Sequence, residues 1–266
     1  WLHAQRLDVA EPFGAGPQAT RAAIEHLGYV QIDTINVIER SHHHILYSRI
    51  PAYRRADLAR AQSVDKTVFE YWTHALAYVP TSDFRFFMAQ MRTYRTGSFP
   101  WYAGIPDSDV RRVLRLIRQQ GPITLRDIDE DPIEKTHAWA SRKPSKGALQ
   151  RAFFDGRLAI SERTGMLKTY ELLERHFDWE HRPRPATERQ VLDYMLDRAL
   201  RTQGFVTAES VFHTHGAFRP ALTALIESRA RRKLLVPVEI EGARAQHWAR
   251  PETLEAAAPE PTLTHI

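Results

Sequence analysis

Apolar residues in the second half of the chain recur with helical spacing. Val110, Val113, Leu114 and Ile117 lie three or four residues apart, as on the buried face of an amphipathic helix. Gly121 and the proline after it end this predicted helix, and arginines occupy its solvent side. The pattern therefore predicts one helix that packs against a core and presents a basic face to water.

A second and a third helix are predicted after Gly121, followed by a hairpin. Thr124 is a favourable N-cap for a short helix, and a longer helix is predicted from Ser145 to the stop at Gly156. Residues 157–170 then contain two β-prone runs on either side of Gly165, which is typical of a β-hairpin. The predicted order is three helices and a hairpin.

The same order recurs further along the chain. Leu192, Leu196 and Leu200 mark one helix, Thr207 is the equivalent cap, and a later helix is followed by two strands around Gly242. Three helices and a hairpin form the winged-helix variant of helix-turn-helix, which offers its third helix and its wing to DNA. The basic residues predicted on these DNA-facing sides are Arg157, Arg163 and Lys168 in one copy and Arg229, Arg231, Arg232 and Lys233 in the other. The alternative for each of them is a solvated surface charge.

The first hundred residues are less regular. The pattern predicts helices over 19–27, 55–62 and 83–91, an alternating segment over 29–33, and an aromatic segment of strand and turn character over 67–80. These elements fit a third, modified winged-helix unit.

The predicted fold class is helix-rich α+β, built from tandem winged-helix domains. The predicted divisions are a modified winged-helix unit at 1–105, a second unit at 106–182, a third at 186–250, and a linker at 251–266. A stiff Arg-Pro-Arg-Pro segment at 182–185 separates the second and third units.

Composition narrows the class of protein. The 266 residues include no cysteine, which excludes disulfide scaffolds, thiol nucleophiles and cysteine-ligated metals, and no apolar run is long enough to span a bilayer. We therefore expect a cytoplasmic protein that acts at the nucleoid and does not associate with membranes. The net charge is +5, and all but six of the 37 basic residues are arginine, which binds phosphate well. Charge alone is compatible with a nucleic-acid partner.

Gln31 and Asp33 are the candidate catalytic pair. Two residues apart in an extended segment, their side chains leave the same face and can hold one water between an amide and a carboxylate. Such an arrangement suits hydrolysis, because the carboxylate polarises water or stabilises positive charge on a sugar. The structural alternative is that Asp33 caps a helix beginning at Thr34 and that Gln31 bonds to nearby backbone.

Two further clusters are candidate substrate contacts. His42, His43 and His44 are consecutive, so on a helix they point about 100° apart and do not converge on one metal ion. We predict no metal site there, and expect at least one of them in the core or lining a groove. The second cluster offers stacking surface for an unstacked base or simply an aromatic core, and comprises Glu70, Tyr71, Trp72 and His74.

Three segments together resemble the AlkZ/YcaQ-like DNA glycosylases. They are Val30-Gln31-Ile32-Asp33-Thr34-Ile35, Glu39-Arg40-Ser41-His42-His43-His44 and Glu70-Tyr71-Trp72-Thr73-His74-Ala75. The family motif is Gln, a hydrophobic residue, then Gln or Asp, and Gln31-Ile32-Asp33 matches the Asp form of the YcaQ-like branch. The resemblance runs from about residue 5 to residue 250.

The resemblance implies a fold and an activity. It implies tandem winged-helix units and a monofunctional glycosylase that hydrolyses the N-glycosidic bond of N3- or N7-alkylated purines, with Gln31 and Asp33 positioning the water. Some members unhook interstrand crosslinks. The implied partner is double-stranded DNA carrying such lesions, acted on by a monomer without a cofactor. Family members continue into a C-terminal β-rich domain, which we expect to be missing from this sequence.

Two other functions remain open. A winged-helix transcriptional regulator without catalysis would bind DNA sequence-specifically, usually as a dimer on spaced half-sites. A protein-interaction scaffold would use the same units without DNA. No nucleophile elbow, phosphate loop or dinucleotide fingerprint is present in the sequence.

Overall fold

The protein is described by a computed structural model covering residues 1–96, 104–131, 143–211 and 218–256. It is a mixed fold of helices and three small antiparallel sheets, which confirms the predicted helix-rich α+β class. The helices are α1 (Gly16–Leu27), α2 (Ser41–Tyr47), α3 (Arg55–Ser63), α4 (Phe84–Arg95), α5 (Asp107–Gln120), α6 (Pro144–Phe154), α7 (Leu173–Phe177), α8 (Glu188–Gln203), α9 (Ala208–Val211), α10 (Arg219–Arg231) and α11 (Pro251–Glu255). The strands are β1 (Val30–Gln31), β2 (Val68–Trp72), β3 (Leu76–Pro80), β4 (Ile123–Thr124), β5 (Leu158–Thr164), β6 (Leu167–Leu172), β7 (Phe205–Val206), β8 (Val236–Val238) and β9 (His247–Ala249).

The chain divides into two compact units. The first unit comprises Trp1–Val30, Ile35–Arg54 and Ala186–Ile266, and the second unit comprises Gln31–Thr34 and Arg55–Pro185. These units combine segments from more than one predicted domain, so the division at 105, 182 and 250 stays a prediction. The tail predicted as a linker contains the short helix α11 in its described part.

The second unit contains two of the sheets. Strands β1, β3 and β2 form one sheet in that order, and β4, β6 and β5 form the other. In the first sheet β2 pairs with β3 from Val68 opposite Pro80 to Trp72 opposite Leu76. In the other, β5 and β6 are joined at Gly165, whose φ of 62° suits a tight turn. The predicted strands at 67–80 and 157–170 are therefore confirmed.

The helix α5 follows the pattern of its apolar residues. Val110, Val113, Leu114 and Ile117 are all buried, and the helix ends at Gly121 as predicted. Thr124 caps the 3-10 helix that follows it, accepting a hydrogen bond from the Arg126 backbone nitrogen at 3.1 Å. Side chains at helical spacing on one face are buried together, so periodicity identified this element correctly.

Two acidic residues near this cap, Asp127 and Glu130, form defined hydrogen bonds. Asp127 completes the capping box by accepting from the Thr124 backbone nitrogen at 2.7 Å. The Glu130 carboxylate accepts from Ser145 Oγ at 2.7 Å and from Arg112 Nη2 at 2.9 Å. Although burial opposes it, these bonds keep the pKa of Glu130 below its usual value. Glu130 therefore pins the start of α6 to α5.

In the first unit, α8, α9 and α10 and the sheet β7-β9-β8 surround a separate apolar core. Its members are Leu192, Leu196, Ala199, Leu200, Val206, Val211, Leu222, Leu225, Ile226 and Leu235. The order of helices and strands matches the order predicted from the repeat, and Thr207 accepts from the Ser210 backbone nitrogen at 3.0 Å as the expected cap. The assignment of either copy to the winged-helix class stays a prediction. None of the described helices has the length and apolar content to cross a lipid bilayer.

Candidate active site

The Gln31-Ile32-Asp33 motif forms the end of strand β1 and its extension. The Ile32 backbone nitrogen donates to the Leu76 carbonyl at 2.8 Å, which continues the pairing with β3. Ile32 is buried, whereas Gln31 and Asp33 are both partly exposed. This alternation is what an extended segment produces, so the two polar side chains share one face as predicted.

The structural alternative for Asp33 is wrong. No helix begins at Thr34, and the next helix along the chain, α2, begins at Ser41. Asp33 is therefore not a helix N-cap. The segment from Ile32 to Arg40 forms neither helix nor strand. The motif is at the end of an edge strand, where side chains are accessible from one side.

His74 is brought to Gln31 by the turn between β2 and β3. Its Nε2 donates to the Gln31 side-chain oxygen at 3.1 Å. The turn itself is fixed by Thr73, whose backbone nitrogen and Oγ1 both donate to the Ala75 carbonyl, at 2.9 and 3.2 Å. Because an amide oxygen only accepts hydrogen bonds, His74 orients the Gln31 amide with its NH2 group available for another acceptor.

The histidine run divides between core and surface. His42 and His43 are buried and His44 is exposed. His43 Nδ1 lies 2.8 Å from the Tyr53 hydroxyl, and the rings of His42 and His43 are 4.2 Å apart. The predicted DNA contacts at His42 and His43 are therefore replaced by packing roles, while His44 stays a predicted contact. Among the described residues, no group of three or more acidic or histidine side chains is arranged to hold a metal ion.

Tyr71 is a core residue, which corrects its predicted role as a base contact. Its side chain is 1% exposed, packs against Phe87 and Phe153, and donates from its hydroxyl to the Phe154 carbonyl at 2.5 Å. Trp72, the next residue, is partly exposed and packs edge-on against Phe154 with ring centroids 5.8 Å apart. Both faces of β2 are buried from Val68 to Tyr71, and Trp72 is more exposed because it is the last residue of the strand. Trp72 stays a candidate contact.

Arg163 is buried in an ion pair with Glu70, so it is not a wing residue facing DNA. Its Nη2 donates to Glu70 Oε2 at 2.7 Å, and the two side chains are 7% and 0% exposed. Gln62 donates to Glu70 Oε1 at 3.0 Å and to the Ile160 carbonyl at 3.1 Å. Burial opposes the charge of Arg163, but the hydrogen bonds and charge of Glu70 outweigh it and raise the pKa of Arg163.

Arg157 and Lys168, the other two basic residues predicted to face DNA in the earlier copy, also contact side chains of the protein itself. Arg157 Nε donates to both carboxylate oxygens of Asp155, each at 2.9 Å. Lys168 Nζ lies 5.6 Å from the centre of the Phe153 ring, and burial lowers the pKa of its ammonium group. The Phe153–Lys168 contact joins residues that become neighbours only after folding, whereas Asp155 is two residues before Arg157 and was visible in the sequence.

The four basic residues predicted in the later copy differ in their surroundings. Arg229 donates to Asp197 at 2.6 Å and to Asp193 at 2.7 Å, so it anchors α10 to α8. Arg231, Arg232 and Lys233 are exposed at the end of α10. Arg231 forms an exposed ion pair with Glu227, one turn earlier on the same helix, at 4.0 Å. These three residues stay predicted DNA contacts.

Comparisons with known proteins identify the family of the chain and relate its fold to a solved structure. The family model described as DNA glycosylase AlkZ-like matches residues 24–265. The structure is similar to the Streptomyces sahachiroi DNA glycosylase AlkZ, with a TM-score of 0.63 and 16% sequence identity, over 96% of this chain and 68% of that chain. At that identity the structural similarity establishes the fold, and the family match covers most of the chain. The resemblance drawn from the three sequence segments is confirmed, and the chain belongs to the AlkZ-like DNA glycosylase family.

Proposed function

We infer that the chain is a monofunctional glycosylase that hydrolyses the N-glycosidic bond of N3- or N7-alkylated purines in DNA. The observation that carries this proposal is the arrangement of Gln31 and Asp33 on one partly exposed face, with His74 donating to the Gln31 amide oxygen. An oriented amide can position a water, and a carboxylate on the same face can accept its proton and stabilise positive charge on a sugar carbon.

The chemistry needs little acid catalysis. Alkylation at N3 or N7 makes the purine cationic, so it leaves with the bonding electrons as a neutral base. The sugar then develops oxocarbenium character, and the enzyme acts by stabilising that charge and positioning a water. In the proposed roles Asp33 faces the developing positive charge and accepts a proton from the attacking water, while Gln31 orients that water.

Hydrolysis, rather than a lyase reaction through a Schiff base, is proposed from the sequence around the motif. A Schiff base needs an amine nucleophile, and the chain contains no lysine before Lys66. Water is therefore the proposed nucleophile, and the product is an abasic site in an uncut strand.

We extend the proposal to interstrand crosslinks. A crosslinked purine is covalently held by the opposite strand and does not enter an enclosed base pocket. Gln31 and Asp33 are both partly exposed, which favours an open site that acts on a bulky adduct without fully flipping the base. Incubation with a duplex crosslinked through N7 of guanine tests this directly, since unhooking separates the two strands on a denaturing gel.

The main experiment compares wild type with Asp33→Asn on duplex DNA carrying one N7-methylguanine. Abasic sites are cleaved with alkali and the strands are separated on a gel. We expect a loss of at least about a thousandfold in single-turnover rate for Asp33→Asn, with DNA affinity nearly unchanged. Asp129→Asn, which removes an exposed carboxylate elsewhere in the second unit, is the matched control.

Two results would contradict the proposal. Equal activity of wild type and Asp33→Asn would exclude Asp33 from the reaction. No product from either protein, together with a sequence-selective shift of undamaged DNA, would instead favour the non-catalytic winged-helix regulator.

A further inference from the structure

Three exposed apolar side chains lie shortly after the candidate catalytic carboxylate. We name Ile35–Ile38 the apolar segment: Ile35, Val37 and Ile38 are 68%, 89% and 88% exposed, and Asn36 is the one polar residue among them. The segment forms neither helix nor strand. Among the large apolar side chains in the described ranges, Val37 and Ile38 are the most exposed. Two adjacent β-branched side chains held almost entirely in water indicate a surface that another molecule covers.

The apolar segment has no charge with which to bind phosphate. From Thr34 to Ile38 the sequence is uncharged, and the Glu39 carboxylate that follows accepts from the Arg40 backbone nitrogen at 2.9 Å. The molecule that covers the apolar segment therefore presents an apolar surface to it. That surface lies beside the group that Asp33 contacts. In duplex DNA the largest apolar surfaces are the faces of the bases, which become accessible where a base step opens.

Chain length fixes how far the apolar segment can be from the reacting sugar. Val37 is four residues after Asp33, which is at most about 14 Å of extended chain. Successive base pairs are about 3.4 Å apart along the helix axis. Any nucleotide whose sugar Asp33 reaches therefore lies within a few base pairs of Val37 and Ile38.

We propose that Val37 and Ile38 insert between base pairs beside the damaged nucleotide and unstack it, so that Asp33 and Gln31 reach the glycosidic bond. Apolar side chains act as wedges of this kind in proteins that kink DNA. Valine and isoleucine suit the role because their χ1 angles are already restricted, so little side-chain entropy is lost on insertion. The inference rests on the proposed function, since it takes Asp33 as the group that faces the sugar.

The test measures unstacking independently of excision. The whole chain is added to a duplex in which 2-aminopurine neighbours a tetrahydrofuran abasic analogue, which cannot be excised. Wild type is expected to raise 2-aminopurine fluorescence at saturation by at least about twofold, because unstacking relieves quenching. V37S/I38S is expected to abolish the rise, whereas V37L/I38L keeps it. Val64→Ser is the matched control, since Val64 is a 66% exposed valine far along the chain from the motif.

Excision rates provide the second readout. On N7-methylguanine in intact duplex, V37S/I38S is expected to lose at least about tenfold in single-turnover rate, and much less on the same lesion in single-stranded DNA, which has less stacking to break. All variants should keep the wild-type melting temperature, because the replaced side chains are exposed.

Failure of the wedge and failure of the proposed glycosylase function give different results. If wild type excises N7-methylguanine but V37S/I38S matches it in both fluorescence and duplex rate, the wedge is overturned and the proposed function stands. If V37S/I38S changes the sedimentation coefficient of the free protein and leaves the fluorescence rise intact, the segment is a self-association surface and the wedge is again overturned. If wild type raises fluorescence but excises nothing, the proposed function fails while unstacking stands.

Discussion

Arg163 and Glu70 form an ion pair in which neither side chain is more than 7% exposed. Arg163 lies on β5 and Glu70 on β2, so the pair fastens the hairpin of one sheet to a strand of the other within the second unit. Removing one partner of such a pair leaves an uncompensated charge in the core, which costs far more than the pair itself contributes.

We therefore expect Arg163→Met to lower the free energy of unfolding by about 3–5 kcal/mol. The double variant E70L/R163M should recover most of that loss, because no charge remains buried. Urea denaturation of the three proteins measures both values. Arg182→Met is the control, since Arg182 pairs with Glu174 on the surface and should cost less than about 1 kcal/mol. Equal losses for Arg163→Met and Arg182→Met would contradict the buried pair.

His74 is expected to act on the reaction through Gln31. His74→Ala should lower the single-turnover excision rate about tenfold while DNA affinity changes little, because the Gln31 amide is then free to rotate. His74→Gln keeps a donor NH2 group and should recover part of the rate. In a protein that already carries Gln31→Ala, adding His74→Ala should not lower the excision rate further. If the two substitutions lower the rate additively, His74 does not act through Gln31.

The acid sensitivity of the fold is expected to depend on His176. This side chain is 4% exposed, and burial, assisted by the charge of Lys66, lowers its pKa to about 4 in spite of Glu171. The unfolded chain, with an ordinary histidine pKa near 6.5, binds the proton more readily. The contribution of His176 to the free energy of unfolding is therefore fully present above about pH 6.5. It is lost as the pH falls toward about 4, and the loss reaches about 3 kcal/mol.

Urea denaturation of wild type and His176→Gln at pH 7 and pH 4.5 measures this contribution. The difference in unfolding free energy between the two pH values should be smaller in the variant. An unchanged difference would assign the acid sensitivity to other groups, and His181→Gln serves as a control at a more exposed histidine.

A side chain at Gly28 is expected to destabilise the fold. It ends α1 with φ of 76°, and a Cβ there would overlap Cδ and Cγ of Arg198. The Arg198 guanidinium lies over the rings of Tyr29 and Tyr194, at 5.2 and 5.5 Å. Gly28→Ala should therefore cost about 1 kcal/mol of backbone strain together with the loss of this stacking.

Gly242→Ala isolates the backbone part of that cost. Gly242 has a φ of 79° but open space around its Cβ position. A larger drop in melting temperature for Gly28→Ala than for Gly242→Ala is the expected result. Equal drops would show that Arg198 moves aside without cost.

Exposed basic residues at the end of α10 are expected to contact DNA phosphates. Replacing Arg231, Arg232 and Lys233 with glutamine should make the plot of log K for DNA binding against log salt concentration less steep by about two to three. Fluorescence anisotropy measures the binding. Replacing Arg111, Arg115 and Arg118, which are exposed on α5, with glutamine removes the same three charges and tests whether net charge alone is responsible. The same change in slope for both sets would contradict a specific contact at α10.

Local patterns determined most of the secondary structure. The apolar spacing in α5 and the glycines at its end and in the β5–β6 turn specify elements through interactions between near neighbours. The catalytic candidate could be predicted for the same reason, because the Gln31-Ile32-Asp33 alternation is itself a property of an extended segment.

Tertiary structure decided which charged and aromatic residues remain available at the surface. Arg163 and Arg229 look like Arg231 and Arg232 in sequence, yet the first two are held by carboxylates from distant segments and the last two are exposed. The orientation of Gln31 by His74 likewise depends on β1 pairing with β3. Periodicity encodes which face of an element is buried, but the partner of a polar side chain is set by long-range packing. The sequence by itself therefore determined the elements and the motif, and only the fold decided their contacts.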